Sequence, residues 1–391
     1  MTGPPPGPFR PEFWRSPLRS PALTAALGSV LLVLLGIVIV TGFLSHAAYE
    51  PDLAGNAIVP AGADVPLLFD WPTGPPWLYG LTQGLHVNVG LAAIPFLLFK
   101  LWSVIPKLFA WPPATSPAQA IERLAIALLV SSAVFQFVTG VINAQYWYAF
   151  HFNFVVAHYY GAVVFTAALV LHVLVKLPVI ARAWRERGQP SPVPAWSAAP
   201  TISRRGLFWF AGGSAVLLAA ANAGQSIGGP VRSLAFLAPR REDFPVNKTA
   251  ARAGITDAMV GADYRLELSG GVTLSRDELL AMEQHTARLP IACVEGWTTT
   301  QEWTGVRLAD LAALAGATDA GSALVRSLQP RGVLSKAALS GDVLRHPDAL
   351  LALKVGGADL SLDHGFPARI IAPAVPGVHN TKWVASITFA A

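Results

Sequence analysis

Two histidines, His158 and His172, stand 14 residues apart in one long apolar segment. On an α-helix this spacing places them within ~40° of the same face and ~21 Å apart along the axis. A polar side chain is costly inside a membrane helix and points to function. Imidazoles are axial ligands of haem iron, and facing helices of a bundle supply them. The spacing favours a haem ligand near each membrane surface, although each histidine alone could be a hydrogen-bonded bundle residue.

His86 lies in another apolar segment, at a depth similar to that of His158. We therefore expect His86 and His158 to share one outer haem b. Two further histidines, His46 and His151, fall outside the segment centres and are expected to be exposed loop residues.

The single cysteine, Cys293, excludes an internal disulfide and any multi-cysteine zinc or iron–sulfur site. It ends a predicted strand within LPIACVEGW, residues 289–297. Such a cysteine is either an inert buried thiol or a soft metal ligand. Spacing does not decide between the two.

The elements that position these residues follow from composition. The 391 residues are 53% hydrophobic and 13% charged, which argues against a single water-soluble domain and against a disordered chain. Five apolar segments are long enough, or nearly so, to cross a bilayer. They cover Pro21–Leu44, Trp77–Leu108, Ala118–Asn143, Phe152–Ile180 and the shorter Gly206–Ala223.

Charge is unevenly distributed along the chain. Residues 1–230 hold 12 Lys and Arg against 7 Asp and Glu, whereas residues 231–391 hold 16 of each. A basic excess confined to loops beside apolar segments indicates membrane orientation, and nothing suggests nucleic-acid binding. The loops 45–76 and 144–151 contain no Lys or Arg. We expect a cytoplasmic N-terminus and an extracytoplasmic chain after residue 225, in a bacterial inner membrane.

A Pro-rich cytoplasmic linker is predicted over residues 186–205, followed by a fifth membrane segment over 206–225. Residues 203–208, SRRGLF, resemble a twin-arginine export signal; the alternative is two ordinary positive-inside arginines. Ala221–Ala223 could be a cleavage site, but a tethered domain is favoured.

Residues 239–391 are soluble in character and predict a mixed α+β domain. Ser275 and Glu278 form a capping-box pattern that opens a short helix. Gly316 should end a second helix. Strands are expected over Tyr264–Leu268, Leu289–Val294, Ala349–Val355, Arg369–Ile371 and Trp383–Phe389.

The first four apolar segments, residues 1–185, resemble the b-type cytochrome subunits of respiratory formate dehydrogenases and hydrogenases. The resemblance implies an all-α transmembrane four-helix haem bundle in which His86 and His158 hold the outer haem. It also implies an inner haem on His172. This sequence departs from the family there, because residues 15–20, RSPLRS, offer no partner histidine. A second haem is therefore left open.

The C-terminal region resembles the sulfite oxidase superfamily, and in particular the molybdenum subunits of periplasmic methionine sulfoxide reductases. The resemblance rests on CVEGW at 293–297, WTGV at 303–306, DHGFPAR at 363–369 and TKW at 381–383. It implies Mo-molybdopterin as cofactor and Cys293 as the molybdenum ligand. His364, Arg369, Lys382 and, more weakly, Asn247 match pterin-contacting positions. Arg and Lys suit the phosphate in which the pterin cofactor ends.

Residues 294–303, VEGWTTTQEW, carry two glutamates and no Lys or Arg. An acidic, aromatic entrance would repel sulfite and suit a neutral substrate, unless Arg288 or Arg307 folds into the site. We therefore expect a membrane-bound oxidoreductase that passes electrons from quinol through haem b to an external Mo centre. Its substrate would be a neutral S-oxide or N-oxide. The alternatives are a sulfite or sulfur-compound oxidase that feeds quinone, and a haem electron-transfer protein with a degenerate outer domain.

Overall fold

Five long apolar helices form the N-terminal part of the computed structural model, which describes residues 3–53, 55–66, 69–185 and 202–391. Each is long and apolar enough to cross a membrane. Most of the linker predicted over residues 186–205 lies outside the described residues. The helices are α1 (Pro21–Ala48), α2 (Leu78–Leu108), α3 (Pro117–Ala144), α4 (Phe154–Arg185) and α5 (Arg204–Ile227).

Local sequence signals start two of these helices. The Ser116 hydroxyl accepts a hydrogen bond from the Gln119 N–H, and Pro117 occupies the first helical position of α3. The Asn153 side chain accepts the N–H groups of Val155 and Val156 at the start of α4. Both caps satisfy backbone donors that a helix start leaves without intrahelical partners.

The chain folds into two compact units. One comprises Met1–Val40 and His86–Ala221, and the other comprises Thr41–Leu85 and Asn222–Ala391. The first unit contains the central parts of the apolar helices, which pack through buried residues such as Leu27, Ala93 and Phe165. The second contains the C-terminal domain together with residues 41–85, which the sequence analysis grouped with the helices.

Two five-stranded sheets form the framework of the second unit. One has the strand order β2-β1-β10-β5-β6; the other has β3-β4-β7-β8, with β9 also paired to β7. The strands are β1 (Arg265–Leu268), β2 (Val272–Ser275), β3 (His285–Ala292), β4 (Thr298–Arg307), β5 (Ser322–Ser327), β6 (Lys336–Ser340), β7 (Leu350–Val355), β8 (Ala358–Asp359), β9 (Arg369–Ile371) and β10 (Val384–Ala390). Short helices join them: α6 (Ala250–Ala253), α7 (Asp257–Val260), α8 (Arg276–Ala281), α9 (Leu308–Leu314) and α10 (Gly341–Arg345).

The predicted α+β character of this region is confirmed. Ser275 and Glu278 form the expected reciprocal capping box at α8. Gly316, at φ +68°, lies two residues beyond the end of α9. Fully buried aliphatic side chains, including Leu266, Val325 and Leu351, build the core of the domain.

Residues 41–85 pack within this second unit. The Asn56 amide pairs with Ala338 through both of its groups: Nδ2 donates to the carbonyl at 3.0 Å and Oδ1 accepts the N–H at 2.8 Å. Ala338 belongs to β6, an outer strand of its sheet. The Trp71 indole donates to the Ala374 carbonyl at 2.8 Å. This segment therefore hydrogen-bonds both to the domain and to the loop that follows β9.

Candidate functional site

Cys293 occupies the first position of a five-residue loop between β3 and β4. The register pairs Ala292 with Thr298, so residues 293–297 close an antiparallel hairpin. The Cys293 N–H donates to the Trp297 carbonyl, and the Gly296 N–H donates to the Cys293 carbonyl, both at 2.9 Å. Gly296 has a φ of +97°, a conformation that favours glycine. The loop thereby fixes the position of the thiol at the sheet edge.

The Cys293 thiol is buried and hydrogen-bonded. Its Sγ donates to Glu295 Oε2 at 3.1 Å, and the same oxygen accepts the Trp297 indole N–H at 2.8 Å. Burial raises the pKa of Cys293 well above its usual value, and the nearby Glu295 raises it further. Without a metal ion, the thiol therefore favours its protonated form. A soft metal ion would bind it as the thiolate.

His364 is held from both ring nitrogens at the end of a short 3-10 turn, Leu362–His364. Its Nε2–H donates to the Phe244 carbonyl at 3.2 Å, and Nδ1 accepts the Ser361 hydroxyl at 2.8 Å. The ring stacks on Phe244 with 3.6 Å between centroids. Burial lowers the pKa of His364. The imidazole is therefore neutral and fixed in orientation.

Two buried cations lie beside this histidine. Arg369 and Lys382 are 5% and 7% exposed. Arg369 donates to the carbonyls of His364 and Asn380, and Lys382 donates to those of Lys248 and Asp363. Neither joins an ion pair with a described carboxylate.

The pKa values of both cations are lowered, as expected for buried cations without a paired carboxylate. Burial lowers the pKa of Arg369 to about 9. Burial, followed by repulsion from Arg369, lowers that of Lys382 to about 7, although Asp363 acts in the opposite direction. Gly365 allows the two cations to approach: at its φ of +111°, a Cβ would lie 3.1 Å from the Arg369 Cβ and 3.2 Å from that of Lys382.

One pocket joins these groups, and it is lined by Cys293, His364, Arg369, Lys382 and Asn247, the site residues expected from the C-terminal sequence. Its lining combines a thiol, a neutral imidazole, an amide, two cations and aromatic rings. An anionic cofactor with a soft metal fits this donor set, since two buried cations lack an anion and the thiol suits a soft metal. The lining residues are Phe244, Pro245, Val246, Asn247, Ile291, Cys293, Trp297, His364, Arg369, Gly377 and Lys382.

Comparison with known families agrees with this chemistry. Residues 253–391 match the family described as oxidoreductase molybdopterin binding domain. This part of the chain is a molybdopterin-binding oxidoreductase domain. The prediction of a sulfite-oxidase-like domain is confirmed at this level, and Cys293, His364, Arg369 and Lys382 fall within the matched residues.

Individual relatives are similar over limited lengths. The NADH nitrate reductase of Volvox carteri is 31% identical over 187 residues, covering 39% of this chain and 21% of the relative. Mitochondrial sulfite oxidase of Drosophila melanogaster is 30% identical over 158 residues, covering 33% and 27%. YedZ1 of Azospira oryzae, named as a putative protein-methionine-sulfoxide reductase subunit, is 29% identical over 136 residues, covering 32% and 48%. The chain thus spans less than half of each relative.

Arg240, which precedes the residues matched to the molybdopterin-binding family, lies near the thiol, and the sequence analysis did not predict this. Arg240 is close enough to Cys293 to oppose the rise in its pKa. Its guanidinium donates to the carbonyls of Val246 and Asn247. Arg288 is exposed, and Arg307 bonds to His285 instead of lining the pocket. The proximity of Arg240 to Cys293 could not be predicted from a local motif, because 53 positions separate the two residues in the sequence.

In the helical unit, the rings of His86 and His158 are neighbours in a T-shaped arrangement, with 6.2 Å between centroids and 86° between planes. The His86 Nδ1–H donates to the Val38 carbonyl at 2.9 Å. The Thr139 hydroxyl donates to the Phe135 carbonyl, so the His158 Nδ1–H donates to Thr139 Oγ1 at 2.9 Å. Both Nε2 atoms are consequently unprotonated in the neutral rings, as metal-ligating histidines require.

The remaining candidate histidines behave differently. His172 is half-buried. Among the described residues, it has no ring contact with another histidine of the kind that joins His86 to His158. His46, expected to be exposed, is 6% exposed, and its Nε2–H donates to Asp64 at 2.9 Å. That expectation was wrong because α1 continues past Leu44 to Ala48 and carries His46 into the second unit. No group of three or more His, Cys, Asp or Glu that could hold a metal ion occurs among the described residues.

Proposed function

We propose that this protein is a membrane-bound molybdopterin oxidoreductase that takes electrons from quinol through haem b and reduces a neutral S-oxide or N-oxide. The five apolar helices anchor it in a bacterial inner membrane, with the N-terminus cytoplasmic and the molybdopterin domain outside. The observation that carries the proposal is the pocket that brings Cys293 together with Arg369 and Lys382 inside a molybdopterin-binding domain.

Each pocket residue has a role suited to its environment. Cys293 would ligate molybdenum, Arg369 and Lys382 would hold the cofactor's phosphate, and Asn247 and His364 would contact the pterin. When bound, the molybdenum centre supplies two-electron oxygen-atom transfer. A sulfoxide would accept two electrons and two protons, its sulfur–oxygen bond would break, and the products would be a thioether and water. Trp297 and Phe244 line the pocket, and their rings would reduce the access of water to a bound substrate.

The haem assignment rests on the His86–His158 pair. Their ring centroids are 6.2 Å apart, so the two imidazoles are neighbours that would hold one haem iron between them. Hydrogen bonds from the Nδ1 atoms to Val38 and Thr139 orient both rings. His172 would ligate a second haem only with a different partner, so we propose one haem per chain.

Two observations support a neutral S-oxide or N-oxide as the substrate. YedZ1 of Azospira oryzae, a relative, is named as a putative methionine-sulfoxide reductase subunit. The carboxylate of Glu295, 3.1 Å from the Cys293 Sγ, disfavours an anionic substrate at the metal.

Oxidation of a sulfur oxyanion is the second candidate. The nearby Arg240 guanidinium and the similarity to sulfite oxidases favour it. In that case electrons would flow from the pocket to the haem and on to quinone.

Purified full-length protein separates these functions. We expect one molybdenum and one haem per chain, and oxidation of the prereduced haem on addition of dimethyl sulfoxide. Reduction of the oxidised haem by sulfite would establish the second candidate instead. A haem protein that contains no molybdenum would exclude both, leaving an electron-transfer protein with a degenerate domain.

A further inference from the structure

The loop of residues 293–297 is held by two side chains that do not line the pocket and that belong to long helices. In the second turn of α2, the Gln83 amide donates to the Val294 carbonyl at 2.6 Å. In the last turn of α5, the Ser226 hydroxyl donates to the Gly296 carbonyl at 2.5 Å. Each helix therefore donates a side-chain hydrogen bond to the backbone of the loop that carries the thiol.

Helix α2 lies directly against the two ends of this loop. A Cβ at Gly80 would lie 3.3 Å from Thr298 Oγ1 and 3.5 Å from the Ala292 Cβ, so glycine at this position permits the close approach. Gln83 is 3% exposed, and water therefore competes little for its hydrogen bond. The contact between α2 and the loop is close and largely dry.

The same stretch of α2 carries a proposed haem ligand. His86 follows Gln83 by three residues, and side chains at that spacing are neighbours on one helix face, with about 5–6 Å between their Cβ atoms. Helix α5 contains no histidine. Of the two helices that donate to the loop, α2 is thus the one that also bears a haem ligand.

We propose that the hydrogen bond between Gln83 and Val294 is the contact through which electrons cross from α2 to the loop of Cys293. This inference rests on the proposed function. The route runs from His86 along α2 to the Gln83 amide, across the hydrogen bond to the Val294 carbonyl, and through the adjoining backbone to Cys293. Electrons tunnel more readily through covalent and hydrogen-bonded atoms than across a gap between unbonded side chains.

The route is used twice in each turnover. One oxide consumes two electrons and two protons, and haem iron carries one electron at a time. Quinol supplies both electrons and releases two protons. The Gln83 amide is neither reduced nor protonated, because its part is to provide a bonded path.

The test follows the oxidation of prereduced haem by saturating dimethyl sulfoxide in full-length holoenzyme, by stopped-flow absorption. Gln83→Met keeps the length of the side chain and removes the donor. We expect this variant to slow haem oxidation by about tenfold, a rise of about 1.4 kcal/mol in the apparent barrier. Molybdenum content, the haem absorption spectrum and the haem midpoint potential should stay at wild-type values.

Ser226→Ala is the matched control, because it removes the other hydrogen bond to the loop from a helix without a histidine. Hydrogen exchange of the amides of residues 293–297, a readout independent of turnover, should rise in both variants. Haem oxidation should slow far less in Ser226→Ala than in Gln83→Met.

Equal slowing in the two variants would mean that Gln83 only fixes the loop, and it would overturn the inference while the proposed function stands. A wild-type rate in Gln83→Met would do the same. Wild-type protein that lacks molybdenum, or whose reduced haem is not oxidised by dimethyl sulfoxide, would overturn both.

Discussion

The two buried cations of the pocket predict a pH-dependent affinity for phosphate. A phosphate ligand needs Lys382 charged, but in the cofactor-free protein the pKa of Lys382 is lowered to about 7, chiefly by burial. The charged fraction falls from about one half at pH 7 to about 3% at pH 8.5, and affinity falls in the same proportion. We therefore expect phosphate binding to weaken by about fifteenfold over this interval.

The assay is calorimetric titration of full-length, cofactor-free protein with phenyl phosphate. The second pKa of such an ester is about 6, so the ligand itself contributes little above pH 7. Lys382→Met should bind weakly with a much flatter pH profile, whereas Lys336→Met, at an exposed position of β6, should behave as wild type. A wild-type affinity that is constant up to pH 8.5, or an equal slope in Lys382→Met, would refute the reasoning.

The lowered pKa of Lys382 also determines whether folding stability rises or falls with pH. Between pH 7 and about 10 the unfolded chain still holds a proton that the folded chain has released at Lys382. The cofactor-free protein should therefore gain stability from this group as pH rises through that range, and bound phosphate should reverse the trend. Thermal unfolding at several pH values, with and without phenyl phosphate, measures both effects.

Three further predictions concern single residues. Cys293→Ser should abolish turnover and leave the haem absorption spectrum intact; loss of both would contradict the assignment of separate cofactor sites. Thr139→Val removes the acceptor of the His158 Nδ1–H, so haem affinity should fall by about 10- to 100-fold, as measured by haem transfer to apomyoglobin; unchanged retention would argue against this pair as ligands. Gly365→Ala places a Cβ at φ +111° against Arg369 and Lys382 and should lower the melting temperature and phosphate affinity, whereas Gly357→Ala, which has open space around it, should leave phosphate affinity unchanged.

Local patterns predicted much of the fold because their causes are local. The Ser275 and Glu278 capping box needs only a four-residue spacing. Membrane-length helices need only a run of apolar residues. The motif residues from Cys293 to Lys382 could be grouped from a family resemblance, and the structure places them around one pocket.

Other features depend on contacts that the sequence does not encode locally. Arg240 lies near Cys293 although 53 residues separate them in the sequence, and no motif links it to the CVEGW block. The burial of His46 was not predicted, because the position at which α1 ends depends on the residues that pack around it. No periodicity in residues 41–85 indicates that Asn56 pairs with Ala338 across 282 positions.

The packing of residues 41–85 into the second unit limits how the catalytic half could be produced alone. Excision at residue 222 would strip β6 of its Asn56 partner and leave the Ala374 and Val294 carbonyls without the Trp71 and Gln83 donors. A fragment that begins there would therefore expose the outer strand β6 without its hydrogen-bond partner, and exposed strand edges promote aggregation. During biosynthesis, the segment of residues 41–85 emerges long before Val294, Ala338 and Ala374, so it can pack against them only once those residues have been synthesised.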